Sequence, residues 1–410
     1  MRHCQPEWNC SFIGIHNGPG IGALGLDIFM DLTRTAYGTW SGGRFMHFGE
    51  ELPEERFINV IRHAYERGIR TFMTADVYGN GAADEMLGRA LAGLARDSYC
   101  LVGAVGHDFY TGKREGSKGY PRFTNAELRA PGDYFDYLRM ATEKSLARCR
   151  ADKFDCLLLH NPDSTGYTGD RVWSAMDKLR DAKLTDRLGI APGPANGFTL
   201  DLVLCIERFG PLLDWAMIIL NPLEPWPGSL CLPAAVKHDV KIITRVVDHG
   251  GLFHDDVKPG HQFGYGDHRV FRPAGWVETG NVKMEKMREV AQLHGLTMLQ
   301  LACLWNLSHA PVQSVIPTLV QEVGPQGKTI ETKVDELAML PDMKLPEAER
   351  DFITSIGNNK GCMELKGASR AHTGNPEADK WGLSDDLEAV GHRWGIDPAK
   401  DLICTHVKTT

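Results

Sequence analysis

From about residue 35 to residue 341, short runs of apolar residues alternate with longer stretches whose apolar positions recur every three to four residues. "TAYGTW" (35–40) reads as a strand. "PEERFINVIRHAYERG" (53–68) reads as a helix with Phe57, Val60, Ile61 and Ala64 on one face, Pro53 near its start and Gly68 at its end. The alternation repeats. "IRTFM" precedes the helical "GAADEMLGRALAG", "YCLVGAV" (99–105) precedes "DYFDYLRMATEKSLARCR" (133–150), and "DCLLL" (155–159) precedes "DRVWSAMDKLRDAK" (170–183). "RLGIA" (187–191), "WAMIIL" (215–220), "KIITRVV" (241–247) and "QSVIP" (313–317) supply four more strands, each followed by helix. Strands that are apolar throughout are buried on both faces, and eight such units predict one α/β domain, a (β/α)8 TIM barrel, over residues 35–341. An open doubly wound sheet would carry a G-x-G-x-x-G turn after its first strand, which "GTWSGG" (38–43) does not match.

Residues 1–34 then read as a glycine-rich N-terminal extension, and 342–410 as a C-terminal extension packing on the barrel, with a short helix in "SDDLEAVGHRWG" (384–395). Composition acts mainly by exclusion. The balance of 45 basic and 53 acidic residues gives a net charge of −8 with no basic run, which argues against a nucleic acid or a membrane surface and for a small-molecule partner. No apolar stretch approaches the length of a bilayer span, and "MRHCQPEWNC" lacks the apolar segment of a secretory leader. Ten cysteines without a C-x-x-C pair suit a reducing compartment, so the expected location is cytoplasmic.

In a barrel of this kind the chemistry sits where strands end and loops begin. Those ends offer Asp76 and Tyr78 after the second strand, His107 after the third, and His160 and Asn161 after the fourth. Asn221 follows the sixth, Asp248 and His249 follow the seventh with Arg245 inside it, and Thr318 follows the eighth. The set is polar and rich in histidine, with no serine or cysteine nucleophile motif, and suits proton transfer or metal chemistry at a hydroxyl or carbonyl. The histidines of "DHGGLFHDDVKPGHQFGYGDHR" (248–269) make a divalent metal a candidate, although ligand spacing of the H-x-x-x-H type is missing. Arg245 is either half of a buried ion pair or an anchor for an anionic group, and the sequence leaves both open.

"GIRTFMTADVYGNG", "DEMLGRAL", "KFDCLLLHNPD", "DRLGIAP", "GDHRVF" and "LHGLTMLQLACLWNLSHAPVQSVIP" resemble, in order and spacing, the aldo/keto reductase superfamily over roughly residues 36–340. The resemblance implies an NAD(P)H-linked oxidoreductase acting on a small polar, sugar-like carbonyl or hydroxyl compound. The family's proton-donating tyrosine falls on Tyr78 and its substrate-orienting histidine on His160. Its aspartate falls on Met73, its lysine on Ala104, and the pair that grips the nicotinamide on Pro192 and Gly193. The usual basic segment after the last strand is replaced by "IPTLVQEVGPQGK". The remaining expectations are substrate contacts from Asp76, His107, Asn161, Arg245, Asp248 and His249, and cofactor contacts (NADP or NAD) from Asn221 and Thr318. The tetrad departures keep two further readings open. One is a redox-inactive lyase, isomerase or dehydratase working through Tyr78, His160 and a strand-end carboxylate or metal; the other is a non-catalytic binding protein. Within the reductase reading, His160 is a candidate to take over as the acid.

Overall fold

The computed structural model describes residues 31–116, 119–193, 198–324, 327–360 and 383–402. Eight parallel strands form one sheet in chain order: β1 (Ala36–Gly38), β2 (Thr71–Met73), β3 (Cys100–Val105), β4 (Phe154–His160), β5 (Thr185–Ala191), β6 (Trp215–Ile219), β7 (Lys241–Arg245) and β8 (Val312–Ile316). A parallel bridge between Thr35 and Val315, with the Val315 amide donating to the Arg34 carbonyl at 2.9 Å, joins the last strand to the first. The sheet is thereby closed into the (β/α)8 barrel that the alternation predicts.

Successive side chains of a strand point to opposite faces. Met73, Ala75, Val102, Ala104, Cys156, Leu158, Ala191, Met217, Ile243 and Ile316 belong to one apolar cluster, which fills the barrel interior. Their neighbours Phe72, Leu101, Leu157, Leu159 and Ile242 belong to the second, which packs the strands against the surrounding helices. The register fixes the layers: Gly38 lies opposite Met73, Met73 opposite Val102, Ala104 opposite Leu158, and Arg245 opposite Ile316. Helix Glu54–Glu66 buries Phe57, Val60, Ile61 and Ala64 against that outer layer, the face its spacing predicts.

Three helices of the C-terminal extension are described, the last the short Pro398–Asp401, and the two longer ones show how it packs. The one expected near 384–395 spans Asp385–Arg393, with the Ser384 side chain accepting from the Leu387 amide. The adjacent Trp394 indole donates to Glu207 of helix Thr199–Phe209 at 2.8 Å. The other, Glu347–Gly357, was not expected; it docks where the Trp305 indole donates to the Arg350 carbonyl at 3.1 Å. Both lie on the outer helices of the barrel. The N-terminal extension, apart from residues 31–34, falls outside the described residues. No described helix is long and apolar enough to cross a membrane.

Candidate active site

A cavity of about 520 Å³ opens at the C-terminal ends of the strands. Met73, Ala191 and Met217 from the barrel interior form an apolar floor, joined by His160 at the end of β4 and Arg245 at the end of β7. The loop after β1 adds Trp40 and Phe45, the turn after β2 adds Tyr78, and the long loop after β3 adds His107, Arg114 and Tyr120. Asn161, Arg272 and Thr318 complete the rim. The lining holds three arginines and two histidines, and among the described residues no aspartate or glutamate.

Tyr78 is aimed by a backbone that only certain residues tolerate. Gly79, Asn80 and Gly81 follow it with φ of 59°, 53° and 100°. A Cβ at Gly79 would meet the Phe45 ring at 2.6 Å, and one at Gly81 the Arg148 side chain at 2.6 Å. The sharp left-handed turn therefore needs its glycines, and it starts helix Ala82–Ala90 while leaving the phenol at the cavity. The Tyr78 ring lies edge-on to His160, with centroids 5.7 Å apart, and 6.4 Å from Trp40. His160 in turn stands 5.1 Å from His107. Behind them Arg122 donates to His107 Nδ1 at 3.0 Å and to the Asn161 carbonyl, and the Asn161 amide lies 3.1 Å from His107 Nε2.

This packing sets the protonation states. Burial pushes the Tyr78 phenol up to about 12, against the opposing pull of Arg245. Burial, with His107, Arg122 and Arg245 around it, holds His160 well below the usual imidazole range, and burial with Arg122 brings His107 down to about 3. His160 is thus a neutral ring at physiological pH. The expectation that it takes over as the acid does not fit these surroundings, because three cationic or potentially cationic neighbours disfavour its protonated form. Its Nδ1 is buried without a partner among the described residues, which leaves Nε2 as the nitrogen a ligand can reach.

Arg245 is half-buried, and its Nη2 donates to the carbonyls of Pro192, at 3.1 Å, and Gly193. No carboxylate among the described residues forms an ion pair with it. Burial pulls its pKa below the ordinary arginine value, with Tyr78 and Glu224 among the groups acting against that.

The other expected site residues are placed behind the cavity wall. Asp76 has the wrong parity: Met73 and Ala75 face inward, so Thr74 and Asp76 turn to the helix layer, where Thr74 donates to Asp84. Asp248 accepts from the Thr318 amide at 2.8 Å and stands 3.4 Å from His254, tying the β7 loop to the β8 loop. His249 is buried against Trp276 and Arg272, and Asn221 donates to the Val246 carbonyl while accepting from the Leu223 amide. Among the described residues no group of three or more His, Cys, Asp or Glu could hold a metal ion. The histidine-rich loop is spent on other contacts: Asp255 pairs with Arg288, His261 with Glu322, and His268 packs on His47. A divalent metal is therefore not supported. Sequence reasoning missed Trp40, Arg114, Tyr120 and Arg272, which reach the cavity from loops whose course no strand pattern reveals.

Two observations bear on a dinucleotide. The cationic lining, without carboxylates among the described residues, suits a polyanion, and Arg272 brings its charge to the rim with Gly250 and Thr318. Pro192 has no N–H, and its carbonyl and that of Gly193 are taken by Arg245, so neither residue brings a side-chain clamp for an amide.

The sequence profile described as "Aldo/keto reductase family" matches residues 35–322, and the chain belongs to that family. It is 49% identical over 344 residues to the versiconal hemiacetal acetate reductase of Aspergillus parasiticus, covering 74% of this chain and 88% of that one. In fold it is similar to the glycerol dehydrogenase of Gluconobacter oxydans, with a TM-score of 0.62 and 22% identity over 88% of this chain and 98% of the other. It is also similar to an aldo/keto reductase from Klebsiella pneumoniae solved in complex with NADP and acetate (TM-score 0.53, 20% identity, 79% and 91% of the two chains).

Proposed function

We propose that this protein is an NAD(P)H-linked reductase that converts the carbonyl group of a small polar molecule to a hydroxyl. The observation that carries the reading is the Tyr78–His160 pair at the mouth of a family barrel, in a cavity that holds three arginines and, among the described residues, no carboxylate. Bound NAD(P)H supplies a hydride to the carbonyl carbon. The Tyr78 hydroxyl gives its proton to the carbonyl oxygen, and the neutral His160 donates a hydrogen bond through Nε2 to the same oxygen. Arg245 is the cation that eases loss of the Tyr78 proton, in place of the lysine that Ala104 replaces. Because burial outweighs that help, proton donation is slower than from a tyrosine with an adjacent ammonium, and general acid catalysis in total is worth about 10²–10⁴-fold.

Fluorescence titration with NADH and NADPH tests this reading. Micromolar binding is expected for at least one, and Tyr78→Phe should keep binding while losing about 10²-fold or more in turnover. NADH should bind at least as well as NADPH, because the cations that follow β8 already carry carboxylate partners: Lys328 with Glu336 and Lys333 with Asp256, each at 2.7 Å. No binding of either nucleotide at millimolar concentration would favour the redox-inactive lyase or isomerase instead. That second reading draws on Met73 and Ala104, which lie in the apolar interior layer.

A further inference from the structure

Arg245 is the one cation placed on the floor among the cavity's described lining residues; Arg114 and Arg272 reach in from loops. It occupies the last inward position of β7, two residues after Ile243 and paired in register with Ile316, both in the apolar interior. Its only hydrogen bonds are from Nη2 to two carbonyls, which leaves Nε and Nη1 without an acceptor among the described residues. This half-buried guanidinium has lost part of its hydration and has gained no counter-ion among the described residues, so it keeps donors for an anion that enters the cavity. Its charge is felt at both Tyr78 and His160, so whatever it binds lies next to the group those two engage.

We propose that Arg245 holds a carboxylate of the substrate, so that the compound reduced is a 2-oxo carboxylate whose carbonyl lies between Tyr78 and His160. This rests on the reductase reading above. One unit charge among Met73, Ala191 and Met217 suits a monoanion, whereas a phosphate dianion would bring a second charge onto an apolar floor. The reaction is balanced. Hydride from NAD(P)H forms the new C–H bond, the carbonyl π bond opens onto oxygen, that oxygen takes the Tyr78 proton, and water restores the phenol. The products are a 2-hydroxy carboxylate and NAD(P)⁺.

A matched pair, benzoylformate and its methyl ester, decides the matter. The intact protein with NADH or NADPH should show kcat/KM for the acid about 10–100-fold above that for the ester, the usual worth of a charge-assisted contact. Arg245→Met should collapse that ratio, and Arg245→Lys should restore part of it. Calorimetric titration of benzoylformate without nucleotide should show binding to the unaltered protein at least about 10-fold tighter than to Arg245→Met. Equal rates on acid and ester, or equal binding by both proteins, would overturn the carboxylate site while leaving the reductase standing. If neither compound is reduced, the reductase reading fails, and the nucleotide-free titration still decides whether Arg245 binds a carboxylate. The acid-to-ester comparison and Arg245→Lys keep the test open should Arg245→Met not fold.

Discussion

Two arginines at the mouth of this barrel, one buried and one half-buried, are treated in opposite ways. Arg269, 1% exposed, donates to Asp267 at 2.7 Å, to both oxygens of Glu322 at 2.6 and 2.9 Å, and to the Gly250 carbonyl, and it lies over the Phe263 ring. Burial pulls its pKa down, but the two carboxylates more than offset this and raise it. Arg245 has two carbonyls and, among the described residues, no carboxylate partner, and there burial prevails. The pairing separates architecture from recognition. Asp267 also accepts from the Gly49 amide at 2.8 Å, so the Arg269 network ties together the loops after β1, β7 and β8 and fixes the rim of the cavity. Arg245 holds two carbonyls of the loop after β5 and keeps its remaining donors for what enters.

The comparison can be broken by measuring stability. Arg269→Met leaves Asp267 and Glu322 buried with their cation gone, and unfolding in urea should show a loss of about 3–5 kcal/mol. Arg245→Met takes away a charge that has no ion-pair partner among the described residues and leaves two carbonyls short of a donor. The change there should stay within about 1 kcal/mol in either direction. Similar large losses in both variants would mean that Arg245 is structural after all.

Strand parity also explains what the sequence could disclose. The eight strands were legible because a barrel strand is apolar on both faces, and Tyr78 and His160 because they stand at strand ends in a familiar order. Asp76 was grouped with Tyr78 by proximity in the chain, although Met73 and Ala75 point inward and Asp76 therefore points out. Asp248 and His249 read as strand-end residues in the sequence, yet β7 ends at Arg245 and the chain then takes positive φ at Val246 and His249, which breaks the alternation. Arg272 could not have been found this way. It lies 27 residues beyond the end of β7 and returns to the cavity only because the loop folds over Trp276, its ring partner at 4.6 Å. Helix Glu347–Gly357 is not among the expected elements although its apolar positions are periodic; it follows the last barrel unit and buries only Ile353 and Gly357.

The smallest effect concerns carboxylates, where the same contrast recurs with the sign reversed. Asp84 is buried but satisfied, accepting from Thr74 and Ser145 at 2.8 Å and pairing with Arg148 at 3.1 Å. Asp76, equally buried, has no side-chain partner among the described residues, and burial together with the neighbouring Asp84 raises its pKa well above the ordinary carboxylate value. The folded protein therefore keeps a proton on Asp76 that the unfolded chain releases near pH 4. Between the unfolded and folded pKa values the native state binds more protons, so Asp76 lowers stability progressively as pH rises through that window, and has no such effect below it. Asp76→Asn removes this titration while keeping the shape. Denaturation at pH 4, 5.5 and 7 should show the variant gaining on the unaltered protein as pH rises, with the least gain at pH 4. A difference independent of pH would mean that Asp76 is ionised in the fold and has found a cation, and the contrast with Asp84 would be lost.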